Sequence, residues 1–308
     1  MKGIVYKSTG SWYKVKNNDG NIIVCRLKGK LRVKGLKVTN PVSVGDVVDF
    51  EMEPQKKTGI ISKINTRKNY LIRKSVNLSK QYHIIASNID QAVLIATITQ
   101  PETLNEFIDR FLVSVTAYGI PAVILVNKID LCKDAQLKQL AEWETIYNNA
   151  DYKILPISVE KGTNLDEVKD LFRDKTTVLS GNSGVGKSSL LKKLLPNEEI
   201  SIKEISEIHK QGVHTTTFAE MYDLSGGGRL IDTPGIRGIG VVDIAPDELS
   251  NFFPEFLRLK SHCKFNNCVH INEPNCAVKT ALEQGDLSFS RYNSYLSIFN
   301  DNKRENYR

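Results

Sequence analysis

The sequence predicts a multidomain chain: a five-stranded β-barrel, a central α/β domain, and a small Cys/His-rich domain with helices. Three observations predict it. Five short alternating strand patterns fill the first 68 residues, and buried strand runs then alternate with helical ones around a Gly-rich loop. Three of the five cysteines fall within residues 263–276. A length of 308 residues allows two or three domains, each with a core of its own.

Composition bounds the function classes. Hydrophobic content of 41% and charged content of 25% are ordinary for a globular protein. No apolar run reaches membrane-spanning length, and Met1-Lys2-Gly3-Ile4-Val5 lacks a signal peptide's long apolar core, so a cytoplasmic location is expected. The net charge of +7 is segregated: residues 1–68 hold 15 Lys and Arg against 5 Asp and Glu, the remainder 27 against 30. This excess points to a polyanionic partner for the first module. Charge alone leaves open a solvated basic surface.

In chain order, residues 3–7, 12–16, 21–27, 46–51 and 58–64 read as the barrel strands, with Asn17-Asn18-Asp19-Gly20 turning the second into the third. Five strands in this length suggest the barrel type that binds oligonucleotides on one face. Lys28, Lys30, Arg32, Lys34 and Lys37 crowd one connection. Beside Trp12, Tyr13 and Phe50 they offer phosphate contacts and base-stacking platforms, unless the aromatics are core. Residues 67–74 read as a basic linker.

From there the pattern becomes α/β. Residues 90–96 and 121–126 read as strands around a helix at 104–113, the continuous apolar runs calling for a parallel sheet under helices. The second strand ends at Asn127-Lys128-Ile129-Asp130. A carboxylate at Asp130 suits the N1 and N2 donors of guanine and rejects adenine. Asn127 suits the N7 and O6 side, and the Lys128 stem the ring face. A strand at 153–158 then delivers Ser158 and Val159 in a loop resembling the one that closes over guanine O6 in GTPases. Because that loop's usual alanine is Val159 here, the expected contact is through its backbone.

The stretch Gly181-Asn182-Ser183-Gly184-Val185-Gly186-Lys187-Ser188 fits the phosphate-loop pattern, with a strand before it and a helix opening at Ser189. Its amides cradle phosphates at the positive end of the helix dipole, with Ser189 also in the nucleotide-binding set. Lys187 reaches the β- and γ-phosphates and Ser188 ligates Mg²⁺. Downstream, Gln211-Gly212-Val213-His214-Thr215-Thr216-Thr217 supplies a threonine, taken as Thr216, to complete the Mg²⁺ shell. Asp232-Thr233-Pro234-Gly235 follows a strand; Asp232 holds Mg²⁺ through water and the Gly235 amide senses the γ-phosphate. Ile236 stands where many GTPases place a water-orienting Gln. His214 is the expected substitute, since orienting water requires a donor or acceptor.

Cys263, Cys268, His270 and Cys276 give three thiolates and one imidazole, suited to a closed tetrahedral Zn²⁺ site. His262 is expected at the surface, and Cys25 and Cys132 in cores. A helix start is expected at Pro246, and Arg291, Lys303, Arg304 and Arg308 read as a basic tail.

The base-reading box precedes the phosphate loop, the reverse of ordinary small GTPases, so the middle of the chain looks like a circularly permuted GTPase. With the basic barrel before it and the Cys/His cluster after it, the chain resembles the bacterial ribosome small-subunit-dependent GTPase A family along nearly its whole length. That resemblance implies an oligonucleotide-binding (OB-type) barrel near 1–68, a permuted P-loop GTPase near 69–240 and a zinc-binding domain with helices near 241–308. It implies GTP hydrolysis with Mg²⁺, slow alone and stimulated by the small ribosomal subunit and its rRNA during late maturation, with His214 catalytic. GTP and GDP are the expected ligands of a monomer without a membrane partner.

Overall fold

The computed structural model describes residues 1–29, 40–74, 82–195, 219–233 and 244–306. The first module is a closed barrel of β1 (Lys2–Ser8), β2 (Tyr13–Asn17), β3 (Ile22–Leu27), β4 (Val47–Met52) and β5 (Thr58–Ile64). β1 pairs antiparallel with β2 and β4, β3 runs parallel to β5, and β4–β5 closes the ring. Closure puts β2 so near β1 that a Cβ at Gly3 would lie 2.5 Å from Val15 Cγ1, which is why a glycine is needed there. Tyr13 and Phe50 are fully buried with Val5, Val15, Cys25 and Ile61. The Tyr13 hydroxyl is satisfied by Gly10 O at 3.0 Å and Asn40 Oδ1 at 2.8 Å. Of the three aromatics considered as stacking platforms, only Trp12, 48% exposed, remains at the surface. Lys28 is exposed, while Lys30, Arg32, Lys34 and Lys37 lie outside the described residues.

Residues 67–74 differ from the expected linker. Tyr70–Lys74 forms β6, paired antiparallel with β7 (Tyr82–Ser87). The cause is local burial: Leu71, Ile72 and Ala86 are apolar and inside. Arg67 also turns inward, bonding Asp46 Oδ1 at 2.6 Å, Asp46 Oδ2 at 2.7 Å and Pro41 O at 2.7 Å. Ser87 Oγ and the Ser43 amide satisfy the rest of the Asp46 carboxylate, so this buried pair keeps its hydrogen bonds.

The α/β sheet runs β10 (Lys153–Pro156), β9 (Ala122–Asn127), β8 (Gln91–Thr97), β11 (Thr176–Gly181) and β13 (Arg229–Asp232), all parallel, then antiparallel β12 (Glu220–Asp223). Strand alternation splits its core. Leu94 and Ala96 face the layer of α1 (Asn105–Thr116) and α2 (Asp134–Asn149), with Trp143 and Tyr147; Val93 and Ile95 face α3 (Leu165–Phe172) and α4 (Lys187–Leu194). β12 also pairs with β1, so barrel and α/β domain share one eleven-stranded sheet.

The C-terminal unit contains α5 (Pro254–Lys260), α6 (Ala277–Gln284) and α7 (Phe289–Asn306). The helix expected from Pro246 is a turn and a short 3₁₀ segment, Leu249–Phe252; α5 begins at Pro254 in the first-turn position that tolerates a missing N–H. Arg291 is not a tail cation. At 1% exposure it bonds Asp109 of α1 at 2.6 Å and Glu255 of α5 at 2.7 Å, with its guanidinium 4.7 Å from the Phe253 ring centre. Val113 of α1 completes this unit's apolar core, so α1 serves both domains.

Candidate guanine-nucleotide site and metal cluster

β11 and α4 flank the phosphate loop, and two glycines are required by its shape. A Cβ on Gly181 would stand 2.7 Å from Ile95 O. Gly186 has φ of +97°, and a Cβ there would meet Asn127 Nδ2 at 2.3 Å. Asn127 is buried at the end of β9 and ties the site together: its Nδ2 donates to Val185 O at 2.8 Å and its Oδ1 accepts the Val159 amide at 3.1 Å. The side chain expected beside the base thus braces the phosphate loop to the base-closing loop. The Val159 amide expected at the base donates to that brace.

Lys128 follows with φ of +65° and extends its ammonium to Gln100 O at 2.5 Å, which ties its side chain to the 100–101 turn. Pro101 lies 3.3 Å from a Cβ built on Gly184, placing residues 100–101 beside the phosphate loop. Sequence periodicity holds no signal for that role. Asp130 is exposed at the rim and accepts the Ser158 hydroxyl at 2.5 Å. Ser158 Oγ also accepts the Lys161 amide at 3.1 Å, which orients the hydroxyl toward Asp130. The carboxylate is thereby held open to solvent on its other side.

At the opposite end, Lys187 Nζ bonds Asp232 Oδ1 at 2.7 Å and Thr233 O at 3.3 Å, and Thr233 Oγ1 donates to Leu179 O at 3.4 Å. Lys187 and Asp232 are each 9% exposed, so the pair is largely shielded from bulk solvent. Asn182 and Ser188 are half-buried, and Ser183, Gly184 and Ser189 exposed. His214, Thr216 and Gly235 lie outside the described residues.

The second cluster is Cys263, Cys268, His270 and Cys276, whose ligand atoms all lie within 4.8 Å of one another. His270 Nδ1 faces the sulfurs, 3.6 Å from Cys263 and 3.3 Å from Cys276. A tetrahedral ion with metal–sulfur bonds of about 2.3 Å has sulfur–sulfur edges of about 3.8 Å. The four groups therefore fit one metal ion with little rearrangement. Burial, then the neighbouring Cys276, pushes the Cys268 thiol up to about 12; a cation offsets that cost by taking the thiolate as ligand. The loop is held independently of the ligands. Glu273 accepts the amides of Val269, Ile271 and Asn272, and the Tyr292 and Tyr295 hydroxyls of α7 donate to His270 O and Val269 O. His262 is exposed, Cys25 buried and Cys132 half-buried.

Comparison with known proteins places this geometry. The family model RsgA N-terminal domain matches residues 2–61, and RsgA GTPase matches residues 64–242. A relative from Flavobacterium psychrophilum, "Small ribosomal subunit biogenesis GTPase RsgA", is 54% identical over 97% of this chain and 92% of its own length. One of the same name from Bacteroides fragilis is 46% identical over 100% of this chain and 99% of its own. Among solved structures, YjeQ from Thermotoga maritima matches at 33% identity and a TM-score of 0.79, covering 98% of each chain. YloQ, described as a circularly permuted GTPase, matches at 32% and 0.76, covering 99% of this chain and 95% of its own. With the box at residues 127–130 preceding the Gly-rich loop at 181–188 on one parallel sheet, the chain belongs to the RsgA GTPase family and is a GTP-hydrolysing enzyme.

Proposed function

We propose that the chain is a cytoplasmic, monomeric GTPase that binds the small ribosomal subunit and hydrolyses GTP in response to its rRNA during late maturation. Its relatives' names support the subunit, and the segregated positive charge of residues 1–68 supports RNA as the contact. The observation that carries the nucleotide reading is the placement of two groups at the carboxyl ends of strands in one parallel sheet. Asp130, oriented by Ser158, lies at the base end, and the Lys187–Asp232 pair lies at the phosphate end.

In this reading Asp130 accepts from guanine N1 and N2, and Asn127 acts by bracing Val185 and Val159. The amides of residues 181–188 and Ser189 take the phosphates, with Lys187 on the β- and γ-oxygens. Ser188, Thr216 and, through water, Asp232 hold Mg²⁺, which supplies charge neutralisation on the phosphates. The Gly235 amide faces the γ-phosphate, and His214 orients the attacking water, since Ile236 cannot. Cys263, Cys268, His270 and Cys276 hold one structural Zn²⁺, the thiolate-rich donor set suiting a soft, closed site. The domains divide near 68 and 240.

Co-sedimentation with separated subunits tests this reading. Binding to small subunits that is tighter with a non-hydrolysable GTP analogue than with GDP is expected; equal binding in both states, or binding to large subunits, contradicts it. The histidine is tested separately: His214→Ala should lower subunit-stimulated turnover by about 100-fold, the scale of a lost general base or water-orienter. Full stimulated turnover would remove that role.

A further inference from the structure

The barrel and the nucleotide-binding sheet meet strand to strand. β1 pairs with β12 at Lys7 and Glu220, β12 with β13 at Glu220 and Asp232, and β13 with β11 at Asp232 and Leu179. Lys7, Glu220, Asp232 and Leu179 therefore stand in one row across four strands. The barrel's first strand is two strand spacings, about 10 Å, from Asp232.

Side chains fasten the register. Lys7 Nζ bonds Glu220 Oε2 at 2.8 Å, and Lys14 Nζ lies 3.8 Å from the other oxygen. Asp223, at the far end of β12, receives the Lys16 ammonium and, at 2.6 Å, the Tyr6 hydroxyl, both from the barrel. Arg229 of β13 approaches the same carboxylate at 3.8 Å and Tyr6 Oη at 3.2 Å. Burial, then the bond to Asp223, pushes the Tyr6 phenol up to about 12, so it remains a donor at neutral pH. Half-exposed ion pairs add little stability singly. A network that links β1, β2, β12 and β13 instead fixes how these strands sit relative to one another.

In the chain, β12 follows residues 196–218, which include Thr216, and β13 ends in Asp232. The strand that joins the barrel thus lies between two groups assigned to the γ-phosphate and Mg²⁺. We propose that Glu220 and Asp223 are positioning residues through which RNA contact on the barrel sets the placement of Asp232 at the phosphates. This rests on the reading of the chain as a subunit-stimulated GTPase. In this arrangement Lys7 and Lys16 meet the β12 carboxylates and do not stand free on the barrel.

The test uses full-length wild type, Glu220→Gln, Asp223→Asn, and the charge exchange Lys16→Asp with Asp223→Lys. kcat and KM for GTP are measured with and without isolated small subunits, beside subunit affinity by co-sedimentation. Single variants should keep basal kcat and subunit affinity within about twofold, because β13 is also held by β11, while stimulated kcat falls about fivefold or more at unchanged KM. The charge exchange should restore stimulation in part, because it rebuilds the pair between positions 16 and 223 but sets a cation against Arg229 and removes the acceptor of the Tyr6 hydroxyl. Full stimulation in the single variants, or loss of subunit affinity in step with stimulation, would overturn the positioning role alone. Wild type that small subunits do not stimulate would overturn the subunit-dependent reading and this inference with it.

Discussion

Asp130 and Gly186 are the single residues at which the two ends of the proposed nucleotide site are tested. Asp130 is exposed at the rim with one oxygen accepting from Ser158, so its remaining acceptor capacity suits the paired donors of guanine. Asp130→Asn exchanges one acceptor for a donor and should weaken GTP binding about 100-fold, the scale of two charge-assisted hydrogen bonds. It should bring a preference for xanthosine triphosphate, measured by competition against a fluorescent guanine nucleotide; unchanged GTP affinity would remove Asp130 from base recognition. Gly186→Ala would push a methyl into Asn127 Nδ2 at a backbone angle side chains avoid. Loss of nucleotide binding with little loss of fold, read by calorimetry and circular dichroism, is the expected result. The residue scale also has a pH signature. The Arg26 hydrogen bond, then that from Thr58, lowers the Glu53 carboxyl from its ordinary 4.5 to about 2. A depressed carboxyl contributes stability above its unfolded pKa and loses it as pH falls through the folded one. The advantage of wild type over Glu53→Gln should therefore be full at pH 7 and vanish between about pH 4.5 and 2 in thermal unfolding.

Among the elements, α1 and α7 carry the most, because the C-terminal unit docks through them. Arg291 stands between Asp109 and Glu255 with no solvent, and burial pushes the Asp109 carboxyl up even with the guanidinium beside it. Truncation to Arg291→Met would strand two carboxylates and should cost about 3–5 kcal/mol in denaturant unfolding; a change below about 1 kcal/mol would mean that the triad is not what fastens the unit. This helix pairing was not legible in the sequence. Arg291 reads there as one more basic residue near the end, since a buried triad from α1, α5 and α7 leaves no local pattern. The strands of the barrel and the parallel sheet were legible, because period-2 alternation and apolar runs are local. β12 was not: it is four residues long, and its identity depends on pairing with β1 and β13. The same division holds at the site. Residues 127–130 and 181–188 declare themselves by spacing, but Asn127 as a brace and Gln100 as the anchor for Lys128 depend on loops brought together only by the fold.

For the whole molecule, the permuted order has a mechanical consequence. β11, which leads into the Gly-rich loop, and β13, which ends in Asp232, are joined sideways, through β12, to a barrel that carries the excess positive charge. The C-terminal unit is fixed to α1 on the sheet's other flank. Its metal cluster is expected to fold that unit. Chelation, or Cys276→Ser, should remove one Zn²⁺ per chain by elemental analysis and lower the Tm of the C-terminal unit, because metal-binding free energy in such sites is folding free energy. The most direct test of the central claim is GTP hydrolysis by the purified chain, alone, with isolated small subunits and with isolated large subunits. Strong stimulation by small subunits only is the predicted result. Equal rates in all three reactions would contradict the account, leaving a GTPase whose basic barrel answers to some other polyanion.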